Sequence, residues 1–245
     1  MSLPAGNPRP DEEIERVLVV VAHPDDVDFG ASGTIAGWTQ AGIEVSYCLV
    51  TDGQAGGFEP DRDRAEMPAV RRAEQTTAAG YVGVKDLHFL GYQDGEVEPT
   101  LDLVRDIVRV IRKVRPQRLV GTSPERNWAR IPASHPDHLA AGEATTRAFF
   151  PAAGNPYAFP ELIEEGLDAW TVGELWLQAH PENNHFVDIT DHFDAKVKAI
   201  LSHVSQHPDP DNMPDLIRGW NGRNAALAGF PEGRLAESFA VIRLN

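Results

Sequence analysis

The chain has 245 residues, 42% hydrophobic and 24% charged, with 21 glycines and 19 prolines, the make-up of a turn-rich globular protein long enough for one full α/β core. Its formal net charge of −15 and pI near 4.9 repel phosphate backbones and anionic lipid surfaces, which excludes nucleic acid and membrane as expected partners. The single cysteine, Cys48, excludes an intramolecular disulfide or a thiolate metal cluster; with no apolar leader and no run of ~18 apolar residues, the expected location is the cytoplasm.

Residues 1–10 read as a flexible N-terminal segment and residues 11–245 as a single domain. "RVLVVVA" (16–22) is a β-branched run of the kind buried on both faces of a parallel sheet, so a first strand points at His23. "GASGTIAGWTQAG" reads as a helix closing on Gly42, and "IEVSYCLVT" as a second strand that buries Cys48 as a small hydrophobe. Next come a helix in "PAVRRAEQTTAAGYVG", a strand in "DLHFLG", an amphipathic helix in "LDLVRDIVRVIRKVRP" stopped by Pro116, and a strand in "QRLVGTS". "HPDHLAAGEATTRAFF" is a helix with His135, Asp137 and His138 at its N-terminus, and residues 151–165 read as an irregular loop or lid. Late strands in "ELWLQA", "HFVDIT" and "SFAVIRL" and a helix in "HFDAKVKAILSHVSQ" complete a single-domain, Rossmann-like three-layer α/β fold with a mostly parallel sheet. In such a fold, sites gather at the carboxyl ends of the strands.

Two motifs fall at that rim. His23 and Asp26 end the first strand, and His138 opens the later helix. Two imidazoles and a carboxylate form a common zinc set that leaves a fourth position open for water, and Pro24 and Pro136 stiffen the turns presenting them. Asp25, between two ligands in one short turn, is free to act as general base on that water. His135 is placed to stabilise a developing oxyanion, and Asp137 to hold an imidazole in one tautomer. The reaction class is metal-assisted hydrolysis of an acyl compound. Either motif alone also reads as a capping turn or a chance pairing, and their joint appearance at strand-to-helix junctions favours the metal. A Mg²⁺-binding phosphoacceptor domain leaves the three histidines unexplained, and a nucleotide-binding module lacks the G-x-G-x-x-G spacing.

With "AHPDDVDFGASGTIA" and "HPDH" in place, the chain resembles the GlcNAc-phosphatidylinositol de-N-acetylase (PIG-L/LmbE-like) family, and "VRRAEQTTAAGYVGV", "FLGYQDG" and "VDITDHFDAKVKAILSHVSQ" extend the likeness through most of its length. The resemblance implies a zinc-dependent hydrolase that removes an acyl group, usually acetyl, from an amino sugar or related small amide. Zinc competes there with other divalent metals such as Fe²⁺. It matches His23, Asp26 and His138 to the metal ligands, Asp25 to the base and His135 to the oxyanion residue. It further implies Arg71 near the sugar and Asp94 on sugar hydroxyls, and a homo-oligomeric assembly. The alternative readings are an amidase of a larger thiol or glycoside conjugate, or a non-catalytic sugar-binding relative. The chain departs from the pattern at Val27, where many relatives carry Glu and the acidic residue here is Asp28, and at Ala133, where some carry Tyr.

The plainer readings are that Arg71 pairs with Glu74 across one helical turn, and that Asp94 is an ordinary turn residue. Trp128, Tyr157 and Phe159 either floor a sugar cleft or pack beneath a loop. His180, His185, His192, His203 and His207 read mostly as solvent-facing or capping residues, none of them assigned to metal.

Overall fold

β1 (Arg16–Val21) is a strand because five consecutive aliphatic side chains, Val17 to Val21, need cover on both faces of a sheet, and all five are fully buried. At about 1.5–3 kcal/mol for each such side chain taken out of water, this strand anchors the domain. Its side chains alternate. Leu18 and Val20 join a core with Ile107 and Ile111, whereas Val17, Val19 and Val21 join a second core with Ile35 and Trp38.

The computed structural model describes residues 3, 6–59, 61 and 63–244. After β1 come α1 (Asp26–Gly30), α2 (Ser32–Gln40), β2 (Glu44–Thr51), α3 (Met67–Tyr81), β3 (Asp86–Tyr92), α4 (Leu101–Val114) and β4 (Arg118–Thr122). The second half holds α5 (Pro136–Arg147), α6 (Pro160–Glu164), β5 (Glu174–Gln178), β6 (His185–Asp188), α7 (Phe193–Leu201), α8 (Met213–Leu227) and β7 (Ala236–Arg243). The sheet has seven strands in the order β3-β2-β1-β4-β5-β7-β6. Pairing is parallel from β3 through β5, and β7 runs antiparallel to both β5 and β6. This is the expected mostly parallel α/β sheet. The chain steps outward from β1 to β2 and β3, then returns to lay β4 on the other side of β1. That reversal opens a crevice at the carboxyl ends of β1 and β4.

Several expectations need correction. Part of the segment expected to be flexible (residues 1, 2, 4 and 5) lies outside the described residues, but the rest of it is fastened: Gly6 N–H donates to Asn184 O at 3.2 Å and Arg9 N–H to Glu174 Oε2 at 2.7 Å. Residues 151–165 are no open lid, because Leu162 is buried in the core and Arg112 donates to the Ala152, Ala153, Asn155 and Ala158 carbonyls. Of the helices without an expectation, α1, α6 and α8, the longest is α8, whose stretch "MPDLIRGWNGRNAAL" mixes two glycines and two asparagines into its turns. It forms by docking: the Asn221 and Asn224 amides both donate to Ala236 O of β7, at 2.9 and 3.2 Å. Cys48 is fully buried, and burial pushes its thiol up to about 12, which removes it from chemistry.

Candidate metal centre and cleft

β1 ends at the crevice, and the next residues turn sharply into α1. Asp25 makes the turn with a left-handed φ of 87°, and its carbonyl accepts from Asp28 and Phe29 N–H. A non-glycine residue held there costs on the order of 1–3 kcal/mol, so its neighbours must hold it. They do so: Gln75 Oε1 accepts from Asp25 N–H at 2.8 Å, Arg71 Nη2 lies 3.0 Å from Asp25 Oδ2, and the same nitrogen donates to Pro24 O. A Cβ at Gly30, which ends α1, would sit 1.9 Å from Gln178 Oε1, so a side chain there would displace the Gln178 amide.

The second half of the centre comes from the start of α5. His135 caps that helix by accepting from Asp137 N–H at its Nδ1 (3.2 Å), so the ring proton belongs on Nε2. His138, one turn on, brings Nε2 to 3.2 Å from His23 Nδ1 and to 2.9 Å from Asp26 Oδ1. Asp26 Oδ2 lies 3.5 Å from His23 Nδ1 and accepts from His23 N–H at 2.9 Å. On the far side of the ring, His23 Nε2 donates to Asp137 Oδ2 at 3.1 Å and to Asp94 Oδ1 at 3.0 Å. Asp137 is fixed in turn by Gly95 and Val97 N–H. Among the described residues, nitrogens of His23, His135 and His138 lie within 4.8 Å of one another.

The electrostatics follow from crowding acids around one imidazole. Burial works against charge on His23, yet its bonds to Asp137, Asp26 and Asp94 push it up to about 12. Despite their own burial, the His23 charge and hydrogen bond hold Asp94 and Asp137 below the usual carboxylate range. Asp25 goes the other way: burial raises it to about 6, with Arg71 opposing and Asp26 assisting. Burial and the positive charge of its neighbours keep His135 below the ordinary histidine value, and therefore neutral.

The donor set suits a divalent ion. Ligand atoms bonded at ~2.0–2.1 Å to a tetrahedral ion sit about 3.3–3.4 Å apart; His23 Nδ1 and His138 Nε2 are 3.2 Å apart, and the Asp26 carboxylate comes to 2.9 Å from His138 Nε2 through Oδ1 and to 3.5 Å from His23 Nδ1 through Oδ2. The facing ring nitrogens and the carboxylates around them are a donor set of the kind that can hold one divalent cation.

The residues expected at the site converge, but two sit differently from expectation. Arg71 is buried, 3% exposed, with its two Nη atoms on Pro24 O, Gly53 O and Asp25; it faces Asp25 and does not extend toward the cleft. Glu74 pairs instead with Ser205 N–H and Oγ–H, both at 2.7 Å, so the Arg71–Glu74 pair does not form. Asp94 carries more than a turn: its second oxygen accepts from Ala55 N–H at 2.9 Å while the first holds His23.

The centre opens into a cleft of about 650 Å³, lined near the cluster by Asp26 and His138 and farther out by Arg130, Ala133, Trp220 and Arg223. Trp128 and Tyr157 are exposed away from this lining, and Phe159 packs on the core; the aromatics that line the cleft are Phe29 and Trp220, the latter on the unanticipated α8. His203, His207 and His180 are buried rather than solvent-facing, and His203 Nε2 donates to Asp28 Oδ2 at 2.8 Å. No helix among the described residues is long and apolar enough to cross a membrane.

Comparison with known proteins agrees with this arrangement. The model of the family described as GlcNAc-PI de-N-acetylase (PIG-L) matches residues 18–149, which include both motifs. The chain is 34% identical over 200 residues to a diacetylchitobiose deacetylase of Thermococcus kodakarensis, spanning 82% of this chain and 73% of that protein. It is 35% identical over 199 residues to a probable N-acetyl-α-D-glucosaminyl L-malate deacetylase of Bacillus cereus, spanning 78% and 83%. A solved structure of N,N′-diacetylchitobiose deacetylase from Pyrococcus horikoshii with an inhibitor superposes at a TM-score of 0.87 and 28% identity, over 96% of this chain and 86% of that one. A seven-stranded α/β sheet with paired His/Asp motifs at its switch point, and this extent of likeness, place the chain in the PIG-L family of deacetylase hydrolases.

Proposed function

We propose that the protein is a zinc-dependent N-deacetylase of amino sugars or their conjugates, with Fe²⁺ as the alternative ion, and that His23, Asp26 and His138 hold the metal. The observation carrying this reading is the set of three ligand-atom separations of 3.2, 2.9 and 3.5 Å, with a raised carboxylate, Asp25, next in sequence. Its support in kind is that the relatives described above are named as deacetylases of N-acetylated sugars.

A divalent ion, when bound, supplies a Lewis acid for the amide carbonyl and a lower pKa for water. The protein's own residues do the rest. Asp25, ionised above about 6, takes a proton from the attacking water and later returns it to the departing amine nitrogen. Arg71 and Gln75 hold that carboxylate and its backbone in place. His135 Nε2–H donates to the carbonyl oxygen as it turns negative, at a site where position 133 carries alanine in place of the tyrosine of some relatives. Asp137 and Asp94 accept from His23 Nε2–H and orient the ring so that Nδ1 is the atom turned toward the ligand side. Carboxylate and free amine are the products.

The test is elemental analysis of the purified protein together with amine release from a panel of N-acetylated amino sugars before and after chelation. One equivalent of zinc or iron and chelator-sensitive release are expected. Loss of neither metal nor activity in His23→Ala and His138→Ala would overturn the ligand assignment.

A further inference from the structure

We infer that the cleft recognises a negatively charged group, a carboxylate or phosphate, on the unit linked to the N-acetylated sugar, through Arg130 and Arg223 on either side of Trp220. The inference rests on the deacetylase reading above and names the substrate class for the same site.

Three observations carry it. The cleft of about 650 Å³ falls mid-range for sites that enclose ligands of drug size, which leaves room past the sugar next to the metal centre. Its outer wall is cationic in a chain of net charge −15. The Arg130 guanidinium lies over the Trp220 ring at 5.0 Å, and Arg223 follows Trp220 by three residues on α8, hence on the same helix face. The third observation concerns counter-charges. Many arginines here are committed to acids: Arg9, Arg16, Arg71, Arg72, Arg118 and Arg234, for example, all pair with carboxylates.

Arg130 and Arg223 make no ion pair or side-chain hydrogen bond among the described residues. The carboxylates that line the cleft are already spent: Asp26 belongs to the metal centre, and Glu237 is taken by Lys196 Nζ and by Gly33 and Thr34 N–H. An acidic protein that keeps two guanidinium groups unpaired in the wall of its own active-site cleft has placed them for an anionic ligand, since the planar fork of arginine fits carboxylate and phosphate oxygens two at a time. Placement is firm, because Asn221 and Asn224 tie this stretch of α8 to β7.

The experiment compares matched pairs on the metal-loaded enzyme. N-acetyl-α-D-glucosaminyl L-malate is set against its dimethyl ester, and N-acetylglucosamine 1-phosphate against methyl N-acetylglucosaminide, with diacetylchitobiose as a neutral reference. In at least one pair, kcat/KM for the anion should exceed that for its neutral partner tenfold or more; the pair that shows it identifies carboxylate or phosphate. That ratio should fall toward one in Arg130→Ala/Arg223→Ala and at high salt, where charge is screened. Hydrolysis of the neutral members at rates equal to the anions, or a ratio untouched by the double substitution, overturns the inference and leaves the deacetylase standing. Absence of amine release from every compound by metal-loaded enzyme would sink the deacetylase reading itself.

Discussion

Lys196→Met tests how the interior of the fold holds the turn at Asp25 and Asp26. Lys196 and Glu237 are each about 1% exposed, and the ammonium donates to Glu237 Oε1 at 2.6 Å, Phe29 O at 2.7 Å and Asp28 O at 2.9 Å. Glu237 in turn accepts from Gly33 and Thr34 N–H at the start of α2. One buried pair therefore pins the end of α1 to the start of α2, directly behind Asp25 and Asp26. Methionine fills the same space but leaves a buried carboxylate without its cation, which costs about 3–5 kcal/mol. For a domain of this size each kcal/mol moves Tm by roughly 2–4 °C, so the expected drop is on the order of 6–20 °C. Calorimetry on the parent, Lys196→Met and Lys196→Met/Glu237→Gln measures it. The double variant should regain part of the loss, because it no longer buries an unpaired charge. Amine release at 25 °C should fall as well, since two α1 carbonyls lose their anchor. A single variant melting within about 2 °C of the parent would refute the argument, as would a double variant no better than the single.

Three further outcomes are expected. Asp25→Asn should keep its metal by elemental analysis and lose about 10²–10⁴-fold in kcat, the range for a general base. His135→Ala should cost about 10²–10³-fold in kcat with little change in KM, as for a lost oxyanion donor. The pH profile of kcat/KM should fall on the acid side: Asp25 works ionised, burial raises it to about 6, and a bound cation favours the ionised form, so the acid midpoint belongs at or below that value. A midpoint above about 7 would contradict the assignment.

What the sequence made legible was whatever local pattern alone decides. Val17–Val21 cannot be exposed, so a buried parallel strand and its direction follow from the run itself, and with them the rim on which His23 and Asp26 fall. The "HPDH" stretch carries its own helix start, because Pro136 suits a first turn and His135 supplies the cap. The meeting of these two motifs depends on β4 lying beside β1, a long-range pairing that the alternation of strands and helices implied. The unread parts depend on partners far along the chain. Arg71 looks like any helical surface arginine until α3 is docked beneath the 23–26 turn, where its charge is consumed by Asp25 and two carbonyls. Trp220 and Arg223 gave no signal, since α8 has weak intrinsic propensity and owes its form to Ala236 O. His203 carries no local mark of burial at all.

The displaced acid of the first motif explains why His203 is buried. With α1 beginning at Asp26, residue 28 points about 200° around the helix from residue 26, away from the metal side and into the protein. Asp28 is fully buried there, and its Oδ2 accepts from Gln75 Nε2 at 3.0 Å and His203 Nε2 at 2.8 Å. Gln75 spans the gap, because its Oε1 takes Asp25 N–H. An acid at position 27 would face neither partner, so the shift by one residue and the presence of His203 are one feature. Burial opposes charge on His203, but Asp28 raises its imidazole above the ordinary histidine value, so the stabilisation of this pair is present at acid pH and fades as pH rises through the raised value. The chain His203–Asp28–Gln75–Asp25 thus fixes the left-handed turn from behind while Arg71 fixes the Asp25 carboxylate from beside, and a residue in an unfavourable backbone conformation keeps one orientation toward the metal centre.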